Sequence, residues 1–529
     1  MIIIDELPFS HIEKEGFKSF YGEMQPKFHV ISRTTVTKDV IGIFNEEKKK
    51  LKEHMKELSE RDWKLQKKII NFRVLLHPHK GEAIANAVEN CLLEWGIEKV
   101  MTITLDNAKN NDTCAAELKK RLNKCNGLLL LLGGEFFHIR CFAHIINLVV
   151  RDGINEVKGT IKRLRRSVKY VRSGPSHVKT RWNSTYLMID SALEFEKVFD
   201  RLEKHDLNYK IECDVKGEGL LGDSDWRKLK ALHTFLEEFY KLTKWVSGSK
   251  YVTSNTYFDE LTQAKDLLID NLTNDDVDFC EMAMKMDAKF DKYCNFDSLN
   301  LILVVAIILD PRYKMKYVEF WYSAYVEKVS HLSEEEKYGQ VVGFIKKLKD
   351  LMSRLYNHYK LEDASIRGVN AFSTQELIIN SAKNASKCLK AKELFRGILK
   401  QKDNMDALND LERYLGDGLV KNDDCLDVLG RWHEKVSTYH ALAIMAREVL
   451  SIPVTSVAFE CTFSTAGRIL DPFRSSLTPI IVESLICSQD WLRNLIPEEI
   501  SVEEKLENLE EIEKVVFNEM RSLVLGSTS

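Results

Sequence analysis

The sequence predicts an α/β layer followed by a mostly helical remainder, and three observations carry that expectation. Residues 63–141 alternate apolar, β-branched runs with amphipathic stretches in the order strand, helix, strand, helix, strand. From residue 226 to residue 450 apolar residues recur at three-to-four spacing, the period of helices buried on one side. Only nine prolines interrupt the 529 residues. Strands that alternate with helices in this way imply βαβ units and some parallel sheet.

Taken in order, residues 5–24 and 34–58 read as helices divided by Gln25-Pro26, the second ending in the charged run EEKKKLKEHMKEL, a solvated helix face. The run WKLQKKIINFRVLL, residues 63–76, has the β-branched and apolar character of a strand, and His77-Pro78-His79 breaks it. Residues 81–95 carry a helical stripe of Ile84, Ala87, Val88, Cys91 and Leu92 that stops at Gly96. VMTITL, residues 100–105, is a buried strand ending at Asp106-Asn107. A helix over 111–123 and a short strand over 136–141 complete the layer. Val157, Ile161, Leu164, Val168 and Val171 form the apolar stripe of a further amphipathic helix. Helices are expected over 226–246, 257–270, 276–293, 334–359 and 437–450. Asp310-Pro311 should stop a buried helix in LNLILVVAIILDP. LEDASIRGVNAFST, residues 361–374, is polar enough to be a loop. The acidic tail places Val502, Leu506, Leu509, Ile512 and Val516 on one side of a docked or partner-binding helix.

Composition narrows the function. At 44% hydrophobic and 30% charged the chain is ordinary globular protein, and a net charge of -3 means that any nucleic-acid affinity must come from a local patch. The eleven cysteines include no C-x-x-C pair, which argues against a disulfide framework or a zinc ribbon. MIIIDELPFS is too short an apolar run for a signal peptide, and no stretch reaches the length of a membrane span, so a soluble intracellular protein is expected.

Several residues are candidates for chemistry. Glu460 sits among Val457, Ala458, Phe459, Cys461 and Phe463, where an unpaired charge costs several kcal/mol. It is either a salt-bridge partner of an arginine such as Arg468 or a metal-binding carboxylate. Asp106, directly after a strand, is either a turn or cap residue or an acid at the carboxyl end of a sheet, where ligands bind. Cys141 and His144 share a helix face without two further ligands, which favours a buried thiol and a hydrogen-bonded imidazole. Between Lys158 and Arg172 there are seven cations and no acid, including Lys162, Arg165, Arg166 and Lys169, which suits either a phosphate contact or a solvated face. Trp182, beside Lys179 and Arg181, is either a base-stacking platform or a core residue.

The blocks ITLDNAKNND, RCFAHIINLVVRDGI, KTRWNSTYLMI, LDPRYKMKYVEFWY and PVTSVAFECTFSTAGRILDPFRSSL resemble, in order, the hAT superfamily of DNA transposases, most closely the plant BED zinc-finger RICESLEEPER and DAYSLEEPER type. The resemblance implies an RNase H-like domain interrupted by a large helical insertion, with the last catalytic helix merging into a C-terminal dimerisation region. The segments are then an N-terminal helical region at 1–60, the RNase H-like part at 61–175, the insertion at 176–430, the last catalytic helix and dimerisation region at 431–497, and the tail at 498–529. It also implies an Asp, Asp, Glu triad holding Mg or Mn, with Asp106 as second Asp and Glu460 as Glu, and DNA contacts from the basic helix, Lys179, Arg181, Trp182, Arg468 and Arg474. The first triad Asp belongs to an opening-strand block that should precede residue 63, yet the chain runs from Lys56 through Asp62 to Trp63 without it, so the RNase H-like domain is expected to be incomplete. No BED-type Cys and His set precedes residue 60, so no zinc is expected in this chain. The expectation is a nuclear, DNA-binding, dimerising protein with its catalysis disabled, without membrane or small-molecule substrate. The alternatives are an active metal-dependent transposase and a protein-interaction module without a DNA role.

Overall fold

The computed structural model describes residues 1–25, 27, 29, 31–57, 63–75, 80–124, 129–172, 182–214, 219–248, 251–273, 276–296, 299–329, 332–372, 409–421, 426–457, 462 and 477–493. It divides into two compact units, one of Met1–Glu60, Lys67–Val74 and Cys461–Ser529, the other of Arg61–Gln66 and Leu75–Glu460.

The first unit packs two N-terminal helices, α1 (Glu15–Met24) and α2 (Arg33–Glu57), with the helix Pro479–Arg493. Val36, Val40 and Phe44 recur every four residues on one face of α2 and are buried. Val36 and Val40 cluster with Val482, Leu485 and Ile486, and the Phe44 ring stacks on Trp491 at 5.4 Å. The charged remainder of α2 is largely solvated, as its composition requires. The sequence places one helix over 5–24; the chain instead forms a 3-10 turn at Phe9–Glu13 before α1 begins.

Residues 67–74 belong to this first unit, which corrects the strand expected over 63–76. The segment carries no strand pairing. The backbone N–H of Ile69 donates to Asp490 Oδ2 at 2.8 Å, and the Trp491 indole N–H donates to the Ile69 carbonyl at 2.9 Å. Side chains of a helix, rather than a neighbouring strand, satisfy the backbone of Ile69.

In the second unit α3 (Gly81–Trp95) ends where Gly96 turns left-handed at φ 66°, and its N–H caps the Leu92 and Leu93 carbonyls. The strands β1 (Lys99–Val100) and β2 (Ile103–Leu105), the helix α4 (Lys109–Leu122), and β3 (Leu129–Leu130) and β4 (His138–Arg140) follow. β1 pairs with β3 and β2 with β4, both parallel, so α4 is the crossover of a βαβ unit. Ala85, Cys114, Leu118, Leu122, Leu130 and Phe137 form the core between these helices and strands. Gly81 permits the close approach of α3 to α4. A Cβ there would lie 2.6 Å from the Asn110 carbonyl and 2.8 Å from the Cys114 nitrogen, both backbone atoms that cannot turn aside. Gly81→Ala is expected to lower stability by about 1–3 kcal/mol. Equilibrium urea unfolding checks this, and an unchanged midpoint would contradict it.

A helical body completes the unit: α5 (Phe142–Ile154), α6 (Lys158–Arg172), α7 (Trp182–Leu193), α8 (Glu196–His205), α9 (Leu207–Cys213), α10 (Asp223–Val246), α11 (Ser254–Asn271), α12 (Val277–Cys294), α13 (Leu301–Ile308), α14 (Lys314–Val329) and α15 (Glu334–Phe372). Short helices at Asp410–Gly416, Val428–Glu434 and His440–Leu450 join the same core. α13 is apolar all round and buried from Ile302 to Ile308, and Asp310-Pro311 ends it as expected. Its last carbonyls accept from Tyr414 Oη at 3.0 Å and Trp432 Nε1 at 2.8 Å, so residues 410–450 cap the central helix. The loop expected over 361–374 is helix as far as Phe372, and residues 373–374 lie outside the described residues. No helix among the described residues is long and apolar enough to cross a membrane.

Candidate functional site

Asp106 follows β2 directly, at the carboxyl end of the parallel pair. Its Oδ1 accepts from the Ala108 N–H at 2.9 Å and the Asn111 amide at 2.6 Å, an Asx turn that opens α4. The same corner receives residues 453–456. Thr104 Oγ1 donates to the Pro453 carbonyl at 2.6 Å, the Phe142 N–H donates to the Val454 carbonyl at 2.9 Å, and the Ser456 N–H donates to Cys141 Sγ at 3.2 Å. Cys141 is therefore a fully buried acceptor that ties the start of α5 to this segment. Glu460, Arg468, Arg474, Lys179, Arg181 and the acidic tail lie outside the described residues. Among the described residues no three His, Cys, Asp or Glu come together as metal ligands. Asp106 alone does not make a cation site.

Beside this corner a cavity of about 520 Å³ opens between the ends of β2 and β4 and the helices α5, α11, α12 and α13. Arg140 Nη2 meets Asp112 Oδ1 at 2.8 Å, and His138 Nδ1 lies 3.8 Å from the same oxygen. Three buried polar atoms in its lining residues meet no protein partner: both amide atoms of Asn107 and Nε2 of His138. Each such group costs roughly 1–3 kcal/mol if left unpaired.

Burial, and then the Arg140 charge, push the His138 pKa below 6.5, against the pull of Asp112. The unfolded chain therefore binds a proton, below about pH 6.5, that the fold refuses. Stability is expected to fall as pH drops through that window, and His138→Gln should flatten this part of the profile. Thermal unfolding of both proteins between about pH 7.5 and 5 checks the difference, since the carboxylates common to both cancel.

The basic helix α6 divides its cations. Ile161, Leu164 and Val168 are buried. Arg163 is held by Asp225, Nε to Oδ2 at 3.0 Å and Nη2 to Oδ1 at 2.5 Å, while Thr160 donates to Asp225 Oδ1 at 2.7 Å. Lys158, Lys162, Arg165 and Lys169 are exposed, and their spacing of four, three and four places them on one face. No described acid pairs with any of these four, and Arg165 Nη2 donates to the uncharged Thr185 Oγ1 at 2.8 Å. Arg166 is half-buried and bonds the Lys162 carbonyl at 3.4 Å.

Trp182 is 6% exposed and sits in the main core. This corrects its expected part as a base-stacking platform: the first turn of α7 buries the ring. Sequence reasoning also missed Asn107 and His138. No local pattern marks them, because only the pairing of β2 with β4 brings them to one cavity.

Comparison with known proteins adds four family matches. A family described as the hAT family C-terminal dimerisation region matches residues 410–492, and one described as hAT-like transposase, RNase-H fold, matches 255–359. A ZBED1 RNase-like domain matches 59–136, and a ZBED1 RNase-like helical domain matches 139–179 and 175–235. The chain is 28% identical to zinc finger BED domain-containing protein RICESLEEPER 1 of Oryza sativa subsp. japonica, over 94% of this chain and 74% of that protein. It is 30% identical to a putative AC transposase of Zea mays, over 93% of this chain and 64% of that protein. The DAYSLEEPER protein of Arabidopsis thaliana is 27% identical over 93% of this chain and 72% of its own length.

Proposed function

Because this chain belongs to the hAT superfamily of transposase-like proteins, we propose that it is a dimerising DNA-binding protein in which strand cleavage and transfer are disabled. The observation that carries the DNA contact is the face of α6, where Lys158, Lys162, Arg165 and Lys169 stand exposed without acidic partners among the described residues. Four cations over about 16 Å of helix axis match a phosphate backbone, and such a contact is indifferent to base sequence. Burial of Ile161, Leu164 and Val168 and the Arg163–Asp225 pair anchor the helix, so the stripe is presented on a fixed support. Residues 410–492 supply the self-association, and a nuclear setting follows from the DNA-binding reading.

Loss of chemistry is supported by the chain passing from Lys56 to Trp63 without a first-Asp block. One observation favours retained activity instead: residues 453–456 are hydrogen-bonded at the strand end that carries Asp106. A divalent cation shared by Asp106 and Glu460 would supply charge neutralisation at a scissile phosphate. A nicking and strand-transfer assay in Mg²⁺ or Mn²⁺ separates the two. No cleavage is expected; cleavage that Glu460→Ala abolishes would establish the active enzyme. Dimerisation is checked by light scattering of the full chain, where a monomer mass would contradict it.

A further inference from the structure

We infer that the cavity at the carboxyl ends of β2 and β4 binds a nucleoside monophosphate unit, either free or at the 5′-phosphorylated end of a DNA strand. Its volume of about 520 Å³ falls within the span of small-ligand sites, and it opens where parallel strands end. The lining has two characters. Lys109, Arg140 and Lys292 supply cations, while Tyr293, Leu299 and Leu303 supply aromatic and aliphatic surface.

The charge is available for a ligand. Asp112 is covered by Arg140 at 2.8 Å, which leaves Lys109 and Lys292 exposed with no described acid against either. Lys292 Nζ lies over the Tyr293 ring, 5.4 Å from its centroid, so cation and aromatic surface adjoin one another in the lining. A phosphate beside a base needs that pairing of charge with a flat apolar surface. The Asn107 amide offers one donor and one acceptor, and neither has a protein partner. Adjacent donor and acceptor atoms are what a base edge presents to an Asn side chain. His138, another lining residue, holds a further buried polar atom, Nε2, without a protein partner.

The site is separate from the α6 stripe and uses neither Asp106 nor Glu460, so it is tested apart from both. The full chain is titrated calorimetrically, with EDTA present, against each of the four deoxynucleoside 5′-monophosphates, inorganic phosphate and deoxyadenosine. A nucleotide is expected to bind saturably, with phosphate or nucleoside alone at least about tenfold weaker, a loss of about 1.4 kcal/mol. Lys109→Ala and Lys292→Ala, both at exposed positions, should each weaken it about tenfold while the melting temperature holds. Asn107→Leu should weaken the nucleotide but not inorganic phosphate. Lys162→Ala with Arg165→Ala should leave it unchanged, which separates this pocket from the DNA contact. The second arm compares a 5′-phosphorylated with a 5′-hydroxyl single strand at high salt. Preference for the phosphorylated strand, displaced by free nucleotide, assigns the ligand to strand ends, and binding of free nucleotide alone assigns it to the free pool. No saturable nucleotide binding, or binding untouched by both lysine variants, overturns the proposal.

Discussion

Asp310→Ala is expected to cost about 3–5 kcal/mol of folding stability, enough to unfold a chain of ordinary marginal stability at moderate temperature. Asp310 is 0% exposed. Its carboxylate accepts four hydrogen bonds: Arg312 Nε at 3.0 Å, Arg312 Nη2 at 2.7 Å, the Arg312 backbone N–H at 3.0 Å and the Asn255 amide at 2.8 Å. The Arg312 side chain is itself only 7% exposed. Removing the acid takes away the charge that offsets burial of the Arg312 guanidinium and leaves the Asn255 amide without that acceptor. The loss is larger than any attraction of the pair alone, because desolvation of the arginine is no longer offset. Urea denaturation followed by far-ultraviolet circular dichroism checks it. Asp310→Asn, which keeps the shape and part of the bonding, should cost less, and equal costs would show that the lost charge alone, not shape or bonding, decides.

Neutralising half of the α6 stripe, with Lys162→Ala and Lys169→Ala together, is expected to reduce the salt dependence of DNA binding by about two units of log–log slope. Four phosphate contacts give a slope of about -3.6, so affinity should fall about 150-fold between 50 and 200 mM salt. With two contacts left the fall becomes about 12-fold. Neither lysine has an acidic partner among the described residues, so the melting temperature should hold. Lys346→Ala with Lys349→Ala, on α15, controls for net charge. Fluorescence anisotropy with duplexes of unrelated sequence reads all three proteins. An unchanged slope would remove α6 from the interface.

How much the sequence disclosed depended on whether neighbours in sequence decide the outcome. The βαβ unit was legible because burial on one side prints its period into 81–122, and Gly96 marks its own left-handed stop. α13 was legible for a different local reason, an unbroken apolar run closed by Asp310-Pro311. The extended segment 67–74 was not, since its backbone partners, Asp490 and Trp491, are more than 400 residues away. For Trp182 the sequence left a base-stacking platform and a core residue both open, because its neighbours are cationic; the core packed over α7 decided for the second. In α6 the count of cations was visible, but which were free was not. Asp225, 62 residues beyond Arg163, takes that one out of solvent and leaves the stripe of four.

By itself, then, the sequence determined the order of helices and strands, the hAT resemblance and the excess of positive charge on α6, because local periodicity, turn chemistry and composition act within a few residues. Only the tertiary structure decided that Asp310 is a buried ion-pair partner as well as a helix stop, that the 67–74 segment serves a helix instead of a sheet, and that Asn107, His138 and Lys292 share a cavity. Those outcomes turn on which distant groups meet. Desolvation makes that choice, since a buried charge or amide must find its partner wherever the fold supplies one.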